Sequence, residues 1–283
     1  IEIVQVYEGT PAEEAGLQPG DLIVKVDGND VDARDEQAFS DAVAMIKGED
    51  GTPVTLGLMR GGQPVDVTVH RAVLSISHVA ASMLPGNIGY VAVTQFSGDD
   101  VEGFRAALEQ FRQAEARGMV VDLRNDPGGY LDHVVSICDM VLPEGLVTYV
   151  EDRHGNRTEE RSSAEYCDMP MAVIVNENSA SGSELFTAAV QDYERGVVVG
   201  TTTYGKGIVQ TLINFPEDGA GMQLTTASYY SPKGRSIHLT GVEPDIVVEP
   251  AADMKVDIYA PDPRTDNQLA AALDALETEI GKR

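Results

Sequence analysis

The sequence predicts an α/β protein: a β/α core with parallel strand pairing, preceded by a small strand-rich module. Three observations carry this. Short apolar runs recur after residue 73, each strand-sized, with amphipathic helical stretches between them. The first 72 residues lack that alternation and read as several strands with one short and one longer helix. At 283 residues and 42% hydrophobic, the chain can bury two ordinary cores, and 28 Gly and 14 Pro supply turns without low complexity.

Within the module, IEIVQVY (1–7) has the apolar pattern of a strand. Pro11 opens a short helix that Gly16 can end, and Pro19-Gly20-Asp21 makes a tight turn. LIVKV is a strand and Asp27-Gly28 a hairpin signal. Phe39, Ala42, Val43 and Ile46 recur at helical spacing. TPVTLGLMRGGQPVDVTVHR reads as a hairpin turning at Gly61-Gly62 and closes the module near residue 72.

The core then runs strand 87–93, a helix over DDVEGFRAALEQFRQAEARG ended by Gly118, and strand MVVDLR (119–124). Helix YLDHVVSICDMVL follows, then a hairpin over 146–162 with His154-Gly155-Asn156 at its tip. Strand MAVIVN (171–176), a helix from about Ser181 to Tyr193 and strand VVVGTT (197–202) continue the alternation. An amphipathic helix over 265–281, with Leu269, Ala272, Leu273 and Leu276, suits packing. The expected domains are residues 1–72, 73–250 and a helical extension over 251–283.

The formal charge of −26, from 46 acidic against 20 basic residues, argues against nucleic acid and anionic membrane surfaces as partners. No stretch approaches the ~18 apolar residues of a membrane-spanning helix. The chain begins with Ile rather than Met and shows no basic, apolar leader, and so reads as processed or trimmed. Cys138 and Cys167 permit one disulfide without establishing a framework, and a buried thiol and a loop thiol are the favoured reading. The five His are scattered, with no ligand pair at metal spacing, so neither metal nor cofactor is expected.

Three loops after the apolar strands carry unusual residues, where open α/β sheets place their sites. Asn125-Asp126-Pro127-Gly128-Gly129 exposes backbone N–H groups suited to an anionic oxygen; a structural turn is the alternative. In Asn176-Glu177-Asn178-Ser179-Ala180-Ser181-Gly182-Ser183-Glu184, a hydroxyl at the strand–helix junction is exposed at the positive helix end. The alternative is a helix cap, with Glu184 completing a capping box. Tyr204-Gly205-Lys206-Gly207-Ile208-Val209-Gln210 places one of only six lysines between two glycines in an apolar strand region. Desolvation there turns an ammonium into a usable base. Gln210, four residues on and hence on the same strand face, could orient the amine. Acyl transfer needs a nucleophile, a base and an oxyanion hole, and the loops supply one each. No His lies in any of them, which ranks a Ser–His–Asp triad below a Ser–Lys dyad.

DLRNDPGG, NSASGSE and YGKGIVQ, in that order, together with PKGRSIHLTGVEPDIVVEP (232–250), closely resemble the carboxyl-terminal processing peptidases, or tail-specific proteases. TPAEEAGLQPGDLIVKVDG resembles the SPAxxAGLxPGDxIxxVNG pattern of a bacterial PDZ domain. The resemblance implies a crotonase- or Clp-protease-like β/α core behind a small PDZ β-sandwich or barrel. It also implies a serine endopeptidase with Ser181 as nucleophile, Lys206 as general base and Gln210 in support. The implied oxyanion donors are the backbone N–H of Gly128 or Gly129 and of Gly182. The chain departs from the family's commoner residues at Asp126 (more often Asn) and Gly182 (more often Ala).

The implied substrates are unfolded polypeptides with accessible C-termini, sensed by the PDZ module, whose groove would be lined by Ile1, Ile3, Ala42, Met45 and Ile46. Arg60 or Arg71, near the module's exit, would read such a signal or form a solvated salt bridge. Relatives of this type work outside the cytoplasm, often membrane-anchored; homo-oligomerisation and a regulatory partner protein stay open. The competing class is a catalytically silent binding or scaffold protein on the same fold, against which the intact Ser181, Lys206 and Gln210 argue.

Overall fold

The computed structural model describes residues 1–283 except 4, 5, 8, 32–34, 75, 76, 216–219, 253 and 283. It divides into two compact units, Ile1–Ile76 and Ser77–Arg283.

The first unit contains α1 (Pro11–Glu14), β1 (Leu22–Val26), β2 (Asn29–Asp30), α2 (Glu36–Ile46), β3 (Pro53–Arg60) and β4 (Gln63–His70). Its antiparallel sheet has the order β2-β1-β3-β4. Val54, Leu56 and Leu58 alternate inward along β3 and meet Ile23 and Val26, which flank a bulge in β1, to form its core. Pro11 stands in the first turn of α1 and Asp35 caps α2, its carboxylate accepting the Ala38 N–H at 2.8 Å. The hairpin turns at Gly61 and Gly62, both with positive φ. Of the strand expected over 1–7, residues 4 and 5 lie outside the described residues, and Glu2 makes a single bridge to Leu22. Neither arginine is a free sensor. Arg60 pairs with the buried Asp21 at 2.7 Å through two nitrogens, and Arg71 donates to the carbonyls of Met45 and Ile46, satisfying the end of α2.

The second unit contains β5 (Val79–Leu84), β6 (Ile88–Val93), α3 (Asp100–Gln113), β7 (Gly118–Asp122), α4 (Leu131–Val141), β8 (Gly145–Asp152) and β9 (Arg157–Ser162). It continues with β10 (Met171–Val175), α5 (Gly182–Asp192), β11 (Val197–Gly200), β12 (Ile208–Asn214), β13 (Gly221–Tyr230), β14 (Ile246–Val247) and α6 (Asn267–Gly281). The central sheet has the order β14-β11-β10-β7-β6-β5, parallel except for the edge strand β5. A second sheet, β12-β13-β8-β9, is antiparallel.

Both faces of the central sheet are covered, which explains its continuous apolar runs. Met119 and Val121 of β7 and Met171, Val173 and Val175 of β10 face the core shared with Phe104, Phe111, Ile137 and Phe186 of α3–α5. The intervening Val120, Ala172 and Ile174 face Leu269, Ala272 and Leu276 of α6. The segment expected as an extension over 251–283 thus ends in a helix packed into the second unit. Arg124 anchors it: buried after β7, its guanidinium donates to Asp122 and to Asp266, the N-cap of α6, at 2.7 Å. Helix α3 stops before Gly118, because Glu115 adopts the left-handed region at φ 54° and Gly118 already begins β7. Both cysteines are free thiols, Cys138 buried and Cys167 partly so. Among the described residues no helix is long and apolar enough to cross a membrane.

Candidate active site

The three loops leave the ends of β7, β10 and β11, adjacent strands of one sheet, so the topology alone brings them together. Hydrogen bonds then zip them. The Asn176 side chain accepts the Asn125 N–H and donates to the Asn125 side chain, both at 3.0 Å. The Ser179 hydroxyl donates to the Leu123 carbonyl at 2.7 Å, and the Ala180 N–H and Ser183 hydroxyl both reach the Asp126 carbonyl at 2.9 Å. The Tyr204 N–H donates to the Ser179 carbonyl at 3.0 Å, joining the third loop.

Ser181 is the N-cap of α5 and has φ 56°, a conformation that non-glycine residues hold only when the surroundings impose it. What imposes it is Glu184. This side chain is fully buried, and its Oε2 accepts the backbone N–H of Ser181 and of Lys206, each at 2.8 Å. Its Oε1 accepts the Gly205 N–H and the Thr203 hydroxyl, each at 2.6 Å. The capping-box glutamate read from the sequence therefore also ties down the lysine loop. Tyr229 of β13 does the same from the other side, its hydroxyl lying against the carbonyls of both Ser181 (2.8 Å) and Lys206.

A cleft of about 320 Å³ is lined by Gly129, Tyr130, Leu131, Ser181, Gly182, Lys206, Gln210, Gln223 and Tyr229, among others. Ser181, Lys206 and Gln210, read from the sequence as nucleophile, base and supporting glutamine, all line it. Lys206, however, lies ahead of β12 rather than within a strand, and the register shifts between Val209 and Gln210, so simple alternation does not relate the two side chains. The Gln210 side-chain oxygen Oε1 accepts from Gln223 Nε2 at 2.9 Å.

The glycine loop presses against the Ser181 turn. Gly128, at φ +90°, has no room for a side chain: a Cβ would fall 2.5 Å from the Gly182 nitrogen and 2.8 Å from the Ser181 Cβ. The Phe96 N–H donates to the Gly128 carbonyl at 3.0 Å and the Tyr130 N–H to the Phe96 carbonyl at 2.8 Å. Amides alternate along extended backbone, so the Gly129 N–H points to the opposite edge, where Gly129 lines the cleft. The buried Gly128 N–H instead donates to Asp126 Oδ1 at 2.8 Å. Of the two glycines read as oxyanion donors, Gly129 is the one on the cleft, together with Gly182, whose N–H belongs to the unpaired first turn of α5.

Sequence reasoning missed Tyr229 and Phe96; each acts through one hydroxyl or one backbone bridge, which leaves no motif. It also missed that His133 Nδ1 pairs with Asp100 Oδ1, a His–Asp arrangement, but His133 is not among the residues lining the cleft. In the first unit, Ala42 is buried, Ile1, Ile3 and Ile46 pack partly buried against the core and Met45 is exposed. A cavity there is lined by Ile46 with Pro11, Leu17, Val54, Leu56 and Leu74 and does not gather the other four groove candidates.

The model of peptidase family S41 matches residues 87–248, and that of a PDZ domain matches residues 2–60. A carboxyl-terminal-processing protease of Synechocystis sp. is 38% identical over 98% of this chain and 65% of that relative. A carboxy-terminal-processing protease of Bartonella bacilliformis is 37% identical over 88% of this chain and 58% of that relative. The chain thus spans less than two thirds of the length of these relatives. Among solved structures, a photosystem II D1 C-terminal processing protease aligns with TM-score 0.60 at 28% identity, over 91% of this chain and 70% of that one.

Proposed function

We propose a function from the premise that this chain belongs to peptidase family S41 and carries a PDZ domain ahead of its peptidase core. The chain is a serine endopeptidase of the C-terminal processing type. The observation that supports this most is the shared Glu184 oxygen that fixes the backbones of Ser181 and Lys206 on one cleft with the Gly129 and Gly182 amides.

In this reading Ser181 Oγ attacks a scissile carbonyl while its proton passes to the Lys206 amine. The oxyanion is held by the N–H groups of Gly129 and Gly182; one such donor is worth about 3 kcal/mol of barrier. Lys206 then returns the proton to the leaving amine, and water hydrolyses the acyl-enzyme by the same route. Gln210 orients the Lys206 amine once its side-chain oxygen gives up Gln223. The relatives' names suggest polypeptide substrates processed at their C-termini; on the family resemblance, these substrates are unfolded, the PDZ domain senses their tails, and the site of action lies outside the cytoplasm.

The test is cleavage of an unfolded protein with an apolar C-terminus by wild type, Ser181→Ala and Lys206→Ala, with circular dichroism as the folding control. Both variants are expected to lose cleavage while staying folded. Cleavage that survives in Ser181→Ala overturns the assignment.

A further inference from the structure

Asp126 is a carboxyl in a place where carboxylates are rarely found. It is fully buried, one residue from Pro127 and two from Gly128, inside the loop that frames the cleft. Its Oδ1 accepts the Gly128 N–H at 2.8 Å, and its main-chain carbonyl takes the Ala180 N–H and the Ser183 hydroxyl from the Ser181 turn. Its Oδ2 is buried and has no hydrogen-bond partner. The Asp100 Oδ2 is buried and unpartnered as well, and the two carboxyls are near enough to repel.

Among the described residues no cation is in contact with the Asp126 carboxyl. From α3 comes Asp100; from α4 comes His133, whose Nδ1 is committed to Asp100 Oδ1; from α5 come the Ser183 hydroxyl and, one residue on, the Glu184 carboxylate held by its own four donors. An ion here is penalised by burial and by a like charge. A neutral carboxyl is not: its Oδ1 still accepts the Gly128 N–H, so the loop keeps its shape while the charge disappears.

We propose, resting on the endopeptidase reading above, that Asp126 is a positioning residue of the oxyanion loop that must be protonated for turnover. The neutral carboxyl holds Gly128, and through it the Gly128–Gly129 peptide, against the Ser181 turn. The ionised carboxyl would set a negative charge behind the donors that must stabilise an oxyanion, raising the barrier in a low-dielectric pocket. Burial, reinforced by Asp100, pushes the Asp126 carboxyl up to about 8, so this proton leaves within the working range of an enzyme.

The consequence is an alkaline limb in the pH profile: Asp126 must keep its proton, so activity falls as the pH rises past about 8.

The experiment uses the whole chain. Turnover of an unfolded polypeptide and acylation of Ser181 by a fluorophosphonate are measured against pH for wild type and Asp126→Asn, alongside infrared difference spectra of the carboxylic C=O stretch. The expected wild-type result is a carboxylic band that disappears as pH rises through about 8, absent from Asp126→Asn, with kcat falling by up to about tenfold per pH unit above it and KM unchanged. Asp126→Asn, which keeps an acceptor oxygen and carries no charge, is expected to lose that alkaline fall. An identical alkaline limb in both proteins overturns the positioning role and leaves the endopeptidase reading intact. Absence of the titrating band at neutral pH overturns the proposal whatever the activity. Absence of Ser181-dependent acylation at every pH overturns the endopeptidase reading, and the proposal with it.

Discussion

Glu184 grips Lys206 by the backbone: Oε2 accepts the Lys206 N–H at 2.8 Å, and the same oxygen accepts the Ser181 N–H at the same distance. One carboxylate therefore ties together two turns that the chain separates by α5 and β11. Glu184→Gln replaces one acceptor oxygen with an N–H₂ group that faces donors. The expected result is a loss of about 1–3 kcal/mol in unfolding free energy from the donor left unpaired. Ser181 labelling by a fluorophosphonate should slow at temperatures where the variant is still folded. Unchanged labelling in a destabilised variant would limit Glu184 to a structural role.

Tyr229 closes the same frame from β13. Its single hydroxyl proton serves the carbonyls of Ser181 and Lys206, and burial pushes the phenol's pKa far above its usual value, so it acts as a neutral donor. Tyr229→Phe should lower stability by about 1 kcal/mol and reduce turnover more than substrate binding. The split between kcat and KM is the measurement; a pure KM effect would contradict it.

The sequence could be read this far because parallel strands buried on both faces are written as uninterrupted apolar runs, and because chemistry-bearing residues cluster where those runs end. Ser181, Lys206 and Gln210 were each identifiable from the loop that carries them, and all three face one cleft. What could not be read depends on contacts between distant residues. The capping box at Ser181 and Glu184 is a local pattern, but the second half of Glu184's role lies at Thr203, Gly205 and Lys206. Counting by two from Lys206 to Gln210 fails because the strand begins at Ile208 and slips at Val209. Gly128 and Gly129 look equivalent in sequence, and only the bridge to Phe96 decides which amide faces the cleft.

That bridge makes Gly129 intolerant. A Cβ there would sit 2.0 Å from the Phe96 carbonyl oxygen, so Gly129→Ala must push the loop away from Phe96 and break its alignment on the cleft. Loss of an aligned oxyanion donor should lower the acylation rate by about 10²–10³. Gly155→Ala, at the β8–β9 turn with open space around it and φ +82°, is the control for a glycine replaced without a clash. It should cost about 1 kcal/mol of stability or less and leave acylation as in wild type.

Arg124 should prove structural. Its guanidinium is buried between Asp122 and Asp266, and Asp122 also accepts from the Tyr90 hydroxyl at 2.8 Å. Arg124→Met leaves two buried carboxylates without their cation, which should cost about 3–5 kcal/mol. Denaturant unfolding measures it, and amide exchange should show the N-terminal turn of α6 opening first, because Asp266 is its cap.

Asp126 gives a stability prediction whose sign is opposite to that of most carboxylates. In the unfolded chain an aspartate titrates at ~3.9. In the folded chain burial raises it to about 8. Between those values the unfolded state sheds its proton while the folded state keeps it, so each unit of rising pH favours unfolding. The contribution is fully present below about pH 4 and has been lost once the pH passes about 8. Asp126→Asn has no such proton and should be less sensitive to pH over this window. Its melting temperature relative to wild type should climb between pH 5 and 8, by the several degrees that ~1 kcal/mol or more produces in a domain of this size. A constant difference across that range would mean Asp126 is already ionised in the folded protein, and that the cleft carries its charge at neutral pH.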